Sequence, residues 1–262
     1  LFWIIGCGNM AGAMLRRWIE TGMDVSRVRV VDPAKPGLPG GLTALHAIPS
    51  AEAKAARVLL AVKPQLLDAI AADVTRIVGP QTQLLSILAG VEIAALGARF
   101  PEAGRIVRIM PNLPAALGKG VIALHAADGP DSATAELMAP LGLVEWIADE
   151  DQLHLVAALA ASGPAFLYRF IDALGVAGAR LGLGPDQAAR LALAMVEGSA
   201  LLAAQSGDAP AVLADRVASK GGMTREGLNI LDADEALVRL LTDTLDAATR
   251  RSAEMGNAAR RS

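Results

Sequence analysis

Two glycine-containing runs carry most of the chemistry that can be read from this chain. Leu1-Phe-Trp-Ile-Ile is a short apolar segment that breaks into Gly6-Cys7-Gly8-Asn9-Met10-Ala11 and then into a helical pattern. A strand, a glycine turn and a helix start together present backbone N–H groups to the pyrophosphate of a dinucleotide. The glycines permit the tight turn and the close approach of the phosphates. Without a ligand the run is a glycine-rich turn, and Cys7 reads as a small turn residue rather than a reactive thiol. The second run, Ser219-Lys220-Gly221-Gly222-Met223-Thr224, lies far along the chain in an Ala-rich helical half. Backbone N–H groups entering a helix at Arg225 suit a small carboxylate, and the Thr224 hydroxyl can donate or accept a hydrogen bond. From spacing alone, Thr224 reads equally well as a plain helix N-cap. One half is suited to a nicotinamide cofactor and the other to a small anionic substrate.

Other residues cluster where strands end. Asp32 closes the second strand at the distance from the glycine turn where an acid would bond a ribose 2′-hydroxyl, which favours NAD. Lys35 follows closely and would pair with a 2′-phosphate, which favours NADP; a solvated charge pair on a loop is the bland alternative. Pro33 and Pro36 stiffen that loop without deciding the matter. Ala61-Val62-Lys63-Pro64 and Leu88-Ala89-Gly90 end strands at the edge where open α/β sheets bind ligands. Lys63 is either near a cofactor or an exposed loop lysine. Met110-Pro-Asn112-Leu-Pro114 has a backbone fixed by two prolines, and Asn112 offers a donor and an acceptor there or simply makes an Asx-turn. Ser162-Gly-Pro164 reads as a helix cap, with Pro164 in the first turn, more than as a catalytic serine. No His or Asp stands in a motif relation to Ser162 that would make a hydrolase triad.

Stepping along the chain, strand-like and helix-like segments alternate. Strands are expected over Leu1–Ile5, Arg27–Val31, Arg57–Val62, Gln83–Leu88, Arg105–Met110, Val121–His125 and Leu143–Ile147. Helices are expected over Asn9–Thr21, Leu66–Val78, Ile93–Phe100 and Ser132–Pro140, with a Pro- and Gly-rich loop over Pro33–Gly41. Such alternation implies a doubly wound α/β domain over residues 1–149. Beyond Asp149 the strand signal stops. Gln152–Leu183 is helical but interrupted at Ser162-Gly-Pro164. Helices over Pro185–Ser206, Asp208–Ala218 and Ala233–Met255 then follow, giving an all-α domain over 150–262. The Ala259-Arg-Arg-Ser262 tail is expected to fray.

Composition narrows the class. The 262 residues exceed the usual size of one domain. The mean hydropathy of +0.41 owes much to alanine. The weakly polar run Leu153–Leu167 is too short and too interrupted for a bilayer span, so no membrane association is expected. The sequence opens on an apolar strand candidate and not on a basic-then-apolar run, so no signal peptide is expected. A single cysteine rules out an internal disulfide, which fits the cytoplasm. A net charge of −3 and 3% aromatics give no field or stacking surface for nucleic acid. No dense Cys/His cluster suggests a metal. The small-residue helices of the second half leave apolar faces suited to a second subunit.

Taken in order, Gly6-Cys-Gly-Asn-Met-Ala11, Ala61-Val-Lys-Pro64, Met110-Pro-Asn-Leu-Pro-Ala115, Ser162-Gly-Pro-Ala165 and Ser219-Lys-Gly-Gly-Met-Thr224 resemble the motifs of pyrroline-5-carboxylate reductases. The resemblance runs from residue 1 to about 255. It implies a Rossmann-like N-terminal domain carrying NADPH or NADH and an all-α C-terminal dimerisation domain. It also implies an interlocked homodimer, with further assembly of dimers into rings, and an active site between the cofactor domain and helices of the dimer. Gly6, Cys7, Gly8, Asn9, Met10 and Ala11 would hold the pyrophosphate. Ala61, Val62, Lys63, Pro64, Ala89 and Gly90 would line the cofactor, with Asn112 near the nicotinamide. Ser219, Gly221, Gly222, Met223 and Thr224 would form the substrate turn, with the Thr224 hydroxyl toward the ring nitrogen as the catalytic group. The implied reaction is reduction of a cyclic imine, L-1-pyrroline-5-carboxylate, to L-proline. Against the family pattern, Lys220 replaces a proline, Met223 replaces a small residue, and Ala160-Ala161 stand where Ser-Gly usually precedes Ser162-Gly-Pro. Related imine reductases and 3-hydroxyacid dehydrogenases share the glycine turn, but the latter carry a catalytic lysine that Gln152–Leu183 lacks. A non-catalytic dinucleotide sensor would not need the Gly221–Thr224 turn.

Overall fold

Alternation within the first strand sets the layers. In the computed structural model, which describes residues 1–35 and 37–256, β1 (Phe2–Ile5) lies between β2 (Val28–Val31) and β3 (Arg57–Leu60), parallel to both. Successive side chains point to opposite faces. Phe2 and Ile4 join one buried cluster, with Val28, Val30, Leu59 and Leu85. Trp3 and Ile5 join another, with Val58, Leu60 and Leu84. Both faces are therefore covered, which explains why these strands read as unbroken apolar runs. Burying a side chain such as Leu59 or Leu60 contributes roughly 1.5–3 kcal/mol.

The first face is closed by α1 (Asn9–Glu20), which contributes Met14, Leu15 and Trp18. The Trp18 ring meets Phe2 edge-on with centroids 5.6 Å apart. Its Nε1–H donates to the Leu137 carbonyl at 2.7 Å, which ties α1 to α4 (Ser132–Met138). The opposite face is closed by α2 (Leu67–Thr75) and α3 (Ile93–Arg99), through Leu67, Val74 and Leu96. The sheet continues with β4 (Gln83–Ser86), β5 (Arg105–Met110), β6 (Gly120–His125) and β7 (Gly142–Trp146). Its order is β2-β1-β3-β4-β5-β6-β7. Among the described residues, only β5 and β6 pair antiparallel. Helices on both faces of a mostly parallel sheet make this a Rossmann-like, doubly wound domain. The strand order reverses between β1 and β3, which is where such sheets open a ligand crevice.

Cα packing divides the chain into two units, Leu1–Ser162 with Ala247–Ser262, and Gly163–Asp246. The end of the terminal helix, α10 (Ala236–Arg261), belongs to the first unit for a local reason. A Cβ placed on Gly90 would lie 3.1 Å from the Gly256 backbone. Nearby, His154 Nδ1 and Ser252 Oγ are 2.9 Å apart. Pro36 and the Ala259–Ser262 tail lie outside the described residues.

The expected interruption at Ser162-Gly-Pro164 is not a break. α5 (Gln152–Val156) passes through a π-helical segment, Ala157–Ala161, into α6 (Gly163–Arg180). Ser162 does not cap a helix: it has helical dihedrals, and its N–H donates five residues back to the Ala157 carbonyl at 2.9 Å. The proline ring has no N–H to give to the preceding turn, and the wider π turn absorbs that loss. As a result Gln152–Arg180 is a continuous helix of 29 residues with a mean hydropathy of 1.3, long and apolar enough by those measures to cross a membrane. The expectation that this run is too interrupted to do so is corrected in that respect. Its second half packs against α7 (Pro185–Ser206), where Gly175 lets the helices close to backbone contact with Ala189. The remaining elements of the second unit are α8 (Pro210–Val217) and α9 (Met223–Asp232), followed by a turn at Ala233–Glu235 with Asp234 at φ 51°.

Candidate functional site

The glycine turn leaves β1 at Gly6, whose φ of +86° lies in the left-handed region that favours glycine. A Cβ there would also sit 2.8 Å from the Ala61 carbonyl oxygen. The Gly6 N–H donates to the Val31 carbonyl at 2.8 Å, and the Cys7 N–H donates to Asp32 Oδ2 at 2.8 Å. Gly8 is the N-cap of α1. The first-turn N–H groups of Asn9, Met10 and Ala11 have no acceptor within the helix, and that turn carries no acidic residue. Together they form a positive helix end suited to an anion. A Cβ on Gly8 would meet no protein atom within 4 Å, so the space beside this turn is open to a ligand.

Gly6, Cys7 and Gly8 line a cleft of about 400 Å³ at the β1/β3 switch point, together with Asp32, Ala61, Val62 and Lys63. Seven expected residues thus share one cavity. Asn9, Met10, Ala11, Lys35, Pro64, Ala89, Gly90 and Asn112 are not among its lining residues. Sequence reading missed Pro33, His46, Ala47, Ile48, Leu66 and Ile70, which complete the cleft with Ile5, Val31, Asp73 and Val74. The segment around His46 reaches it because Leu45 pairs beside β2: its N–H donates to the Val30 carbonyl at 2.8 Å, and the Asp32 N–H donates to the Leu45 carbonyl at 2.9 Å. No motif in the sequence marks this segment as part of the cleft.

Cys7 is buried. Burial first, and then the Asp32 carboxylate, push its thiol up to about 11 against a smaller opposing effect of Arg16. It is a protonated spacer in the turn, as its small size suggested.

Asn112 does not make an Asx-turn. It is 6% exposed; its Nδ2 donates to the Ala160 carbonyl at 2.9 Å, and its Oδ1 accepts the Val121 N–H at 2.9 Å. The Ala160 carbonyl would, in an ordinary helix, accept from residue 164, which is proline. Asn112 therefore joins β5, β6 and the π segment. Arg108 and Glu150 make a second link of this kind. They pair at 2.8 Å, and Glu150 also accepts the Ile93 N–H at the start of α3.

In the second unit, Ser219–Gly222 forms a turn closed by the Gly222 N–H on the Ser219 carbonyl at 3.0 Å, with Gly221 at φ +70°. Gly222, not Thr224, is the N-cap of α9. Thr224 is inside the first helical turn and its hydroxyl makes no capping bond, so the capping alternative falls away. That hydroxyl has no partner among the described residues. The N–H groups of Met223, Thr224 and Arg225 are likewise the unpaired first-turn donors of the helix. Arg225 is held to α8 by an ion pair with Asp215 at 2.7 Å. Met223 is 92% exposed. Among the described residues no group of His, Cys, Asp and Glu is arranged to hold a metal ion.

Comparison with known proteins places this geometry. Residues 150–255 match the family model described as pyrroline-5-carboxylate reductase dimerisation. Residues 2–90 match that of NADP oxidoreductase, coenzyme F420-dependent. The pyrroline-5-carboxylate reductase of Pseudomonas aeruginosa is 34% identical, over 96% of this chain and 95% of its own. That of Pasteurella multocida is 30% identical over 96% of each. Among solved structures, the pyrroline-5-carboxylate reductase of Coxiella burnetii superimposes with a TM-score of 0.86 at 29% identity, covering 97% of both chains. The Plasmodium falciparum pyrroline carboxylate reductase, crystallised with NADP bound, gives 0.81 at 23% identity over 97% of both, a likeness of fold. With the glycine cleft at its switch point and the dimerisation match over its helical half, this chain belongs to the pyrroline-5-carboxylate reductase family.

Proposed function

We propose that the chain reduces L-1-pyrroline-5-carboxylate to L-proline with NADPH or NADH, as a cytoplasmic homodimer formed through residues 150–262, with rings of dimers as the higher assembly. The observation that carries this reading is the chain-length likeness to the Pseudomonas aeruginosa reductase, 34% identical over 96% of the chain. The chemistry of the donor set fits. The open face of Gly8 and the first-turn N–H groups of α1 hold the pyrophosphate. Lys63, Ala61 and Val62 flank it across the cleft.

When bound, the reduced nicotinamide supplies the hydride for the imine carbon. The chain's own residues bind and orient. First-turn N–H groups of α9 hold the substrate carboxylate, and the unpaired Thr224 hydroxyl faces the ring nitrogen, positions it and relays its proton. Asn112 acts one step back, since its side-chain amide is spent on Ala160 and Val121; it fixes the backbone that ends β5. A protonated C=N bond is electrophilic without further activation, so orientation and exclusion of water are the protein's main contribution.

Dimerisation is supported by the second unit's apolar surface. Leu167, Tyr168, Phe170, Leu191, Leu193 and Leu202 are each at least 44% exposed, and a surface this apolar marks an interface. The long apolar helix carries this same surface, and the exposed Arg169–Asp172 pair on it supports a second subunit over a bilayer as what covers it.

The test is oxidation of NADH and of NADPH, followed by absorbance, with pyrroline-5-carboxylate, set against 3-hydroxy acids with the oxidised cofactors. Turnover of the imine supports the reading. Turnover of hydroxy acids alone, or none, would refute it.

A further inference from the structure

The sequence leaves Asp32 and Lys35 as rivals for the adenosine ribose. We infer that Asp32 makes this chain select NADH over NADPH; the inference rests on the dinucleotide reading of the cleft and goes one step beyond it.

The Asp32 carboxylate is firmly held. Asp32 follows β2 directly and lines the cleft. Oδ2 accepts the Cys7 N–H of the glycine turn at 2.8 Å, and Oδ1 accepts the Ala34 N–H at 2.9 Å. Its own backbone is tied on both sides, N–H to Leu45 and carbonyl to the N–H of Lys35, each at 2.9 Å. The carboxylate cannot rotate away from an incoming group without stripping the Cys7 N–H of its acceptor. About two of its roughly four acceptor positions stay open, which suits the two neighbouring hydroxyls of an unmodified ribose. A 2′-phosphate would bring nearly two further negative charges against a fixed anion.

The surrounding cations do not offset this. Lys63 is the one lysine or arginine among the described lining residues. It follows β3, and β1 lies between β2 and β3, so its strand is about 10 Å from that of Asp32. Arg16 lies over α1 beside Gly12, where its charge is felt at Cys7 less than that of Asp32, and it is not among the lining residues. Lys35 is exposed, outside the lining residues, with φ +46°. The second carboxylate of the cleft, Asp73, is paired with Arg76 at 3.0 Å.

The test measures binding, without the imine. NADH and NADPH are titrated against the purified protein by cofactor fluorescence. NADH is expected to bind at least about tenfold more tightly. Asp32→Asn keeps one oxygen for the Cys7 N–H and removes the charge; it should move the NADH/NADPH affinity ratio toward NADPH by about tenfold or more, with an unchanged circular dichroism spectrum. If that variant fails to fold, competition on the unmutated protein still decides: adenosine 5′-monophosphate should displace NADH better than adenosine 2′,5′-bisphosphate. Lys35→Ala should leave the ratio unchanged. Equal or tighter binding of NADPH by the unmutated protein, or NADPH binding lost in Lys35→Ala, overturns the inference while leaving the dinucleotide cleft in place. Binding of neither nucleotide removes both.

Discussion

The side-chain amide of Asn112 reaches the backbone carbonyl of Ala160, 2.9 Å away, and thereby fastens the end of a central strand to the π turn ahead of Pro164. This bond uses an acceptor that proline leaves free, and the same side chain also takes the Val121 N–H. Asn112→Asp keeps the acceptor and loses the donor. It should destabilise the fold by about 1–3 kcal/mol, the scale of a buried group left unpaired. Denaturant unfolding would read this, and a change below a few tenths of a kcal/mol would mean that the bond is not made in solution.

Gly6 and Gly8 serve different ends, and substitution separates them. Gly6→Ala meets a left-handed backbone and a carbonyl at 2.8 Å, so both stability and cofactor binding should fall. Gly8→Ser places a good N-cap residue in space that no protein atom occupies. Its unfolding free energy should stay within about 0.5 kcal/mol of the parent, while NADH affinity drops by about tenfold or more as the side chain takes the phosphate's place. Unaltered affinity in Gly8→Ser would put the pyrophosphate elsewhere.

Cys7 makes a simple probe because it is the single cysteine. With its thiol pushed up to about 11 by burial and by Asp32, it is protonated and inert at neutral pH. A thiol reagent should modify almost none of the native protein at about pH 8 and one group per chain in denaturant. Rapid labelling of the native state would show the turn to be open.

Asp131 caps α4, accepting the Thr134 N–H at 2.7 Å and the Thr134 hydroxyl at 2.6 Å. Burial pushes its carboxyl up, but these bonds, the Arg105 charge and Gln83 outweigh that and hold it below the usual carboxylate range. Such a group stabilises the fold fully above its unfolded pKa, and the contribution is lost as pH falls through the lower folded value. Asp131→Ala should therefore cost about 1–2 kcal/mol at neutral pH, with the gap narrowing steadily below about pH 4. A gap independent of pH would assign the cost to packing.

Much of this was legible in the residue order. The seven strands appear where apolar runs stand between breakers, and the glycine turn opens a helix at Asn9, as its spacing required. What was not legible depended on long-range pairing. His46 reaches the cleft only because Leu45 bonds beside β2, and nothing local marks that. Ser162-Gly-Pro164 looked like a helix break because proline ends most helices; here a π turn and the amide of Asn112, distant in sequence, absorb the missing N–H. Thr224 looked like a cap because threonine often is one, yet Gly222 takes that place. The Thr224 hydroxyl is thereby left out of the cap, as its proposed role toward a substrate requires.

The most direct measurement is therefore steady-state reduction of pyrroline-5-carboxylate by Thr224→Ala beside NADH binding by the same protein. kcat/KM should fall by roughly ten- to a thousandfold, with cofactor affinity and folding unchanged. Near-parental turnover in the folded variant would contradict it.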